Sequence, residues 1–437
     1  MLMPYLSKYA SDKPPWTCAP LKSSKSAYLS DRDAISIQFD SHMEQISIWE
    51  KETFLPPSDV VIIGAGIVGL STAIALKRHD PTCRVSVLER GSLPSGASTK
   101  NAGFACFGSL SEILDDLDRM PADAVFQLIR KRYLGLEELR NLIGDDRMDF
   151  RPCGGYEIFS DRDKDACSHC LDQLDTVNLL LREITGRPDT FELVSSGQIR
   201  NFGFRQVHAM LFNRSEGHLH SGKMMKSLIG ITHALDIPVL WGLPVTEVRE
   251  EDRKVSVRTL PGWSLEASCV LIATNGFARQ FLPDLPLFPA RNQVLVTKPL
   301  SSLPFQGTFH YDRGYVYFRD VPGPVPGSSR VLLGGARHLA ADRESTDRFG
   351  LTPDIQAFLT DLLHSTILPD SSVDIDYWWS GILGVGPEKS PIVSFRTDRI
   401  ACAVRMGGMG VAIGTLIGQE AAGMIWEKLR GNPWVHI

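Results

Sequence analysis

Gly64, Gly66 and Gly69 follow the wholly apolar run Val60-Val61-Ile62-Ile63, and Glu89 closes a second apolar run that begins at Val85. The pattern is that of a dinucleotide phosphate turn. The first glycine makes the tight turn, the second lets the backbone approach a pyrophosphate, and the third lets the next helix pack closely on the sheet. That helix opens with Ile67 and Val68 and carries Leu70, Ala73, Ile74 and Leu76 at helical spacing, so its N-terminal amides and positive dipole end face the phosphates. Glu89, with Arg90 beside it, stands at the offset where an acidic side chain accepts hydrogen bonds from ribose hydroxyls.

Further residues suited to a flat, phosphorylated cofactor lie in segments of small side chains. Ser98-Thr99-Lys100-Asn101-Ala102-Gly103 leaves room for a ring to lie close. Ala273-Thr274-Asn275 ends the buried strand that begins at Val270, and Val245 opens a short strand before it. Gly407-Gly408-Met409-Gly410 precedes an apolar helix near the C-terminus.

These residues have to be positioned by a mixed α/β chain. The spacing predicts helices over Ser111 to Gly144, Asp163 to Ile184, Lys223 to Ala234 and Phe349 to Leu363. Strands are expected at Tyr156 to Phe159, Val207 to Phe212, Arg291 to Thr297, Gly307 to Phe318 and Arg330 to Gly335. The last unit, Arg399 to Leu429, returns to strand, glycine loop and helix. The fold class is therefore α/β: a Rossmann-like cofactor domain assembled from residues 43–107, 217–283 and 390–437, with an antiparallel-sheet substrate domain from 108–216 and 284–389. Residues 1–42 interleave Ser, Lys, Asp and Pro, have no signal-peptide core, and are expected to form an extension without fixed structure.

Taken together, the glycine turn with Glu89, the stretch Gly96 to Gly103, and Pro289-Ala290-Arg291-Asn292-Gln293 resemble the D-amino-acid oxidase superfamily of FAD-dependent oxidoreductases. So do Tyr315-Val316-Tyr317-Phe318-Arg319 with Leu333-Gly334-Gly335, Trp379-Ser380-Gly381 with Pro391, and Gly407 to Gly410. The resemblance implies FAD, and no cysteine or histidine resembles a covalent attachment point, so non-covalent FAD is expected. It also implies dehydrogenation of a small amine or amino acid by hydride transfer to flavin N5. Two positions depart from the family pattern: Leu383 stands where an arginine is common, and Arg405-Met406 where the glycine-rich loop often starts with glycine and histidine. Oxidation of a 2-hydroxy acid, or a non-catalytic flavin-containing assembly protein, are the alternatives.

Alternation puts Tyr315, Tyr317 and Arg319 on one strand face, and the resemblance implies that Arg319 holds a substrate carboxylate, with Tyr317 beside it. Arg405, just before the glycine loop, is expected to set positive charge against the flavin's pyrimidine side, where the reduced ring is anionic. His218, His220, His310 and His338 are the histidines expected to border the active site, and any of them is a candidate proton acceptor near neutral pH.

With 437 residues, 43% of them hydrophobic, the chain can bury a large core, and a formal charge of −5 gives no reason to expect nucleic acid or an anionic membrane as partner. The expected partner is a small-molecule amine, amino acid or hydroxy acid. Eight scattered cysteines suit a reducing compartment, so a cytoplasmic location is expected, with an organellar one left open by the N-terminal extension. No metal is expected: Cys167 and Cys170 have no second pair and share a helical face with Leu171, Leu174 and Val177 as core residues. The apolar stretch Met406 to Trp426 is broken by Gln419 and Glu420 and reads as a buried helix, not a membrane span.

Overall fold

Three apolar strands from distant parts of the chain lie side by side in the first of two eight-stranded sheets. In this computed structural model, which describes residues 46–431 except residue 261, β1 (Ser58–Ile63) pairs in parallel with β2 (Val85–Glu89) on one side and β11 (Ser264–Ile272) on the other. Beyond β11 lies β18 (Ile400–Val404), also parallel, then β17 (Ile392–Phe395); beyond β2 lies β8 (Val239–Trp241). A hairpin of β9 (Val245–Glu250) and β10 (Val255–Thr259) extends the early part of β11. Val60 to Ile62 and Val270 to Ile272 are fully buried because helices cover the sheet, which explains their unbroken apolar runs. The helix Ile67–His79 packs against the C-terminal helix Gly410–Leu429 on one face. Among the described residues no helix is long and apolar enough to cross a membrane.

The second sheet runs in the order β16-β12-β15-β14-β13-β4-β6-β5. Its strands are β4 (Gly155–Ser160), β5 (Phe191–Leu193), β6 (Val207–Asn213), β12 (Phe288–Thr297), β13 (Thr308–Tyr311), β14 (Val316–Pro322), β15 (Ser329–Gly335) and β16 (Ile375–Val385). Neighbours pair antiparallel except β13 with β4, which is parallel. An aromatic core of Phe202, Phe204, Phe305, Phe309 and Phe318 packs edge-to-face and stacked beneath it. A two-stranded ribbon, β3 (Phe104–Ala105) with β7 (Gly217–His218), stands apart from both sheets.

Every strand of the first sheet falls within 43–107, 217–283 or 390–437, and every strand of the second within 108–216 or 284–389; we propose the domain division along those lines. The reading of residues 1–42 lies outside the described residues. The helix expected from Phe349 starts only at Pro353, since Gly350 has φ +159° and proline is preorganised for the first helical turn. Cys167, Cys170 and Val177 are buried as core residues, whereas Leu171 is 38% exposed and lies off that face.

Candidate active site

A groove with a volume of about 350 Å³ opens at the C-terminal ends of β1, β2 and β11. The phosphate turn forms its floor. Gly64 has φ +112°, and a Cβ there would meet the Ala273 carbonyl oxygen at 2.8 Å; one on Gly69 would lie 2.0 Å from the Gly64 carbonyl oxygen. Gly69 thus serves helix packing and does not line the groove. Glu89 reaches under the turn, where its Oε2 accepts from the Ala65 N–H at 3.1 Å and its Oε1 from the Gly91 N–H at 2.9 Å. Of the residues expected to hold the cofactor, Gly64, Gly66, Ile67, Val68, Glu89, Arg90, Ser98, Asn101, Val245, Ala273, Thr274, Asn275, Gly408 and Gly410 line this groove. Leu243, Pro244, Phe277 and Met406 line it too, without a signal in the sequence beyond their apolar character.

The groove continues into a second chamber of about 280 Å³ and shares Ala97, Asn101, Leu383, Gly408 and Val411 with it. Lys100, Ala102, Tyr317, Gly407 and Met409 line the chamber. The loop between the two spaces is tightly anchored. Asn101 donates through Nδ2 to the Ser98 carbonyl at 2.7 Å, and its Oδ1 accepts from the Gly103 N–H and the Ser221 hydroxyl. From the second sheet, Trp379 Nε1 donates to the Lys100 carbonyl at 2.9 Å. Thr99 and Gly103 line neither space, and Thr99 Oγ1 and Thr274 Oγ1 are buried with no hydrogen-bond partner.

Arg319 does not reach the chamber. Its side chain is buried and already committed: Nε donates to the Ala102 carbonyl at 2.6 Å, Nη2 to the Leu219 carbonyl at 3.0 Å, and Nη1 to the Asp320 carbonyl at 3.1 Å. Nη1 also lies 3.0 Å from His218 Nδ1. Burial brings Arg319 down to about 10, and burial together with the Arg319 charge pushes His218 down to about 3, so His218 is neutral and its Nδ1 accepts. The expected carboxylate clamp is therefore a brace that pins the Lys100–Gly103 loop to the second sheet. Arg405 is also corrected. It is buried, has φ +66°, and donates to the Ser390 carbonyl at 2.7 Å, the Pro286 carbonyl at 3.2 Å and Glu388 Oε2 at 3.1 Å. It lines neither space, so its charge is spent on the loop from Gly386 to Ser390 and not on a flavin ring.

Tyr317 does face the chamber. Its hydroxyl accepts from Asn292 Nδ2 at 3.1 Å, leaving the O–H free to donate, and burial pushes its pKa well up, which keeps it protonated. Arg337 lines the same chamber, acts electrostatically on Tyr317, and has no ion-pair or hydrogen-bond partner for its guanidinium among the described residues. Of the four histidines only His310 borders the chamber. His218 is held by Arg319, His220 caps the helix Ser221–Ala234 by accepting from the Lys223 N–H, and His338 pairs with Asp312 at 3.0 Å. The spacing of residues gave no sign of Phe104, whose ring packs edge-on against both His310 and Tyr317, or of Lys389, paired with Asp116 at 2.6 Å.

The residues fit FAD on their own chemistry: a glycine floor that a Cβ would obstruct, a buried and unpartnered Thr274 hydroxyl in the groove, and a carboxylate at the ribose position. Comparisons with known proteins agree. The chain is 23% identical over 386 residues to the bifunctional protein ThiO/ThiG of Synechocystis sp., covering 87% of this chain and 53% of that protein, so it spans about half the relative's length. Among solved structures, L-proline dehydrogenase from P. horikoshii superposes with a TM-score of 0.67 at 16% identity, covering 86% of this chain and 94% of that one. Iminodiacetate oxidase from Chelativorans sp. BNC1 gives a TM-score of 0.67 at 18% identity, over 86% and 96%. The family model for FAD dependent oxidoreductases (DAO) matches residues 59–424, from the phosphate turn to the C-terminal helix, and the chain belongs to that family, with FAD as its cofactor.

Proposed function

We propose that this FAD-dependent oxidoreductase dehydrogenates a small amino acid or other carboxylated amine at its C–N bond, giving an imine that water hydrolyses. The observation that carries this reading is Arg337, a guanidinium in the second chamber with no carboxylate paired to it among the described residues. A planar guanidinium grips a carboxylate with two parallel hydrogen bonds, which fixes both its position and its angle. Tyr317, oriented by Asn292, donates a third hydrogen bond to the same group. The solved relatives are named for proline and for iminodiacetate, each a secondary amine with a carboxylate; the shared chemistry, not either compound, is carried over here.

Bound FAD supplies the acceptor for the hydride, and it is held without a covalent bond by the groove residues from Gly64 to Gly410. The chain's own part is orientation. Arg337 and Tyr317 hold the carboxylate end, Phe104 and Met409 line the wall, and the braced Lys100–Gly103 loop fixes the passage between the two spaces. All seven cysteines of the described residues are free thiols, which supports placement in a reducing compartment such as the cytoplasm.

The test is anaerobic bleaching of the flavin absorbance with panels of amino acids, N-substituted amino acids and 2-hydroxy acids. Reduction by an amino acid or N-substituted amino acid supports the reading. Reduction by hydroxy acids alone replaces it with C–O oxidation, and FAD that no panel reduces points to a non-catalytic flavoprotein.

A further inference from the structure

The ribbon of β3 and β7 pairs Ala105 with Gly217, so the residues just beyond its end, Cys106 and Glu216, become neighbours although 110 positions apart in sequence. From the second sheet, β13 delivers His310 to the same spot. The three side chains are buried, with 5%, 2% and 7% of their surfaces exposed, and their Sγ, carboxylate oxygen and ring nitrogen all lie within 4.8 Å of one another. His310 Nε2 is 3.4 Å from Glu216 Oε2, an ion pair when the ring is protonated. Burial lowers the ring's pKa, but Glu216 with the Glu157 and Glu112 charges raises it overall. For the neutral ring the contact is off the hydrogen-bond line, and Nε2 has no other partner among the described residues. An unpaired buried ring nitrogen is costly, so the contact calls for an explanation.

A shared cation provides one. Nitrogen and oxygen ligands at about 2.0–2.1 Å from one tetrahedral ion stand about 3.3–3.4 Å apart, the separation found here, and no N–H need point from one to the other. With a sulfur bond of about 2.3 Å, Cys106 has to come to about 3.6 Å from the other two, inward from a separation of at most 4.8 Å. The other carboxylate oxygen of Glu216 accepts from the Phe107 N–H at 3.3 Å, which orients the group as an outer hydrogen bond orients a metal ligand. Two more carboxylates stand nearby: Glu157, opposite His310 in register, and Glu112, which Arg132 and Lys389 offset.

We propose that Cys106, Glu216 and His310 form a binding site for one divalent cation of the zinc class, with a fourth position open to the substrate chamber. Thiolate with imidazole and carboxylate selects a borderline-soft ion over magnesium or calcium. Three protein ligands leave one tetrahedral position vacant, and Cys106 and His310 both line the chamber, so that position faces it. The thiol proton passes to solvent as the metal–sulfur bond forms. Ligand spacing along the chain conceals this site, because its three residues come from three separate segments. The site is independent of which amine the enzyme oxidises.

The experiment uses FAD-loaded protein freed of metal by a chelator and then titrated with Zn²⁺ alone, bound zinc being counted by elemental mass spectrometry. One zinc per chain is expected, and Cys106→Ser and His310→Asn each weaken it by at least about 100-fold, the upper end of the loss seen for an outer partner. Cys167→Ser, in a separate core, leaves the count unchanged. Titration with Cd²⁺ gives a second measurement on the wild type, an ultraviolet cadmium–thiolate band that must vanish in Cys106→Ser. The flavin spectrum of each variant verifies that it has folded with its cofactor. No tight zinc on the wild type, or tight zinc that both substitutions leave untouched, overturns the proposal.

Discussion

Replacing Arg319 by leucine separates a brace from a substrate clamp. The side chain is buried and supplies hydrogen bonds to three carbonyls, those of Ala102, Leu219 and Asp320, along with the contact to His218. Leucine cannot donate to any of them. At the low end of about 1 kcal/mol for each buried acceptor left unpaired, the loss is about 3 kcal/mol. For a chain of this size, at about 2 °C per kcal/mol, the melting temperature falls by roughly 6 °C. Because Ala102 belongs to the loop between the cofactor groove and the chamber, FAD retention also falls, which flavin absorbance per chain after gel filtration measures. Arg337→Leu has the opposite signature. FAD content and melting temperature stay put, while the dissociation constant of a carboxylate ligand rises by about 100-fold, about 3 kcal/mol, with lysine restoring only part of it. If Arg319→Leu retains its FAD and its melting temperature and loses only carboxylate affinity, the brace is wrong and Arg319 is the clamp.

Gly66→Val is expected to yield protein with little FAD, since even a Cβ at that position lies 2.9 Å from Ser98 Oγ where the backbone approaches the pyrophosphate; full flavin occupancy in the variant would remove the turn from the site. Glu344 offers a pH test. Burial raises its pKa, but hydrogen bonds from Arg291 and Thr352 outweigh this and leave it below the ordinary 4.5. A carboxylate lowered in the folded state contributes stability that is present above its unfolded value and is lost as pH falls through its folded one. The gap in urea midpoint between wild type and Glu344→Gln should therefore narrow as pH falls below 4.5, and a gap constant down to pH 3 would contradict the assignment.

Most of the cofactor groove was legible because its residues follow one another locally: the glycine turn, Glu89, the Ser98 to Asn101 stretch and Ala273 to Asn275 are short segments with their own geometry. The arginines were not. Alternation correctly gave Tyr317 and Arg319 the same strand face, but alternation cannot say how deep along that face the chamber extends. Tyr317 opens into it, whereas Arg319 lies two residues further on, beneath the Ala102 carbonyl. Arg405 was misplaced because its positive φ turns the chain at the loop, and its side chain leaves toward Pro286 and Ser390. His310 and Arg337 meet in the chamber through sheet pairing and a 3₁₀ turn after β15, neither of which leaves a pattern in the local sequence.

The parallel neighbours β1, β11 and β18 come from the start, the middle and the last tenth of the chain. During synthesis, β1 and β2 emerge early, wait past the middle of the chain for their flanking strands β8 and β11, and wait longer still for β18 and the helix Gly410–Leu429. The helix Gly410–Leu429, whose first residues line the cofactor groove, is made long after β1, β2 and β11, so the groove cannot hold FAD firmly until that helix has emerged. Such long loop closures slow folding and leave an apolar half-sheet exposed to chaperones and to other nascent chains in the meantime. The same chain order means that a premature stop between Val385 and Ile400 removes β18 from the cofactor sheet while sparing every strand of the other, leaving a product destined for proteolysis and not a smaller working enzyme.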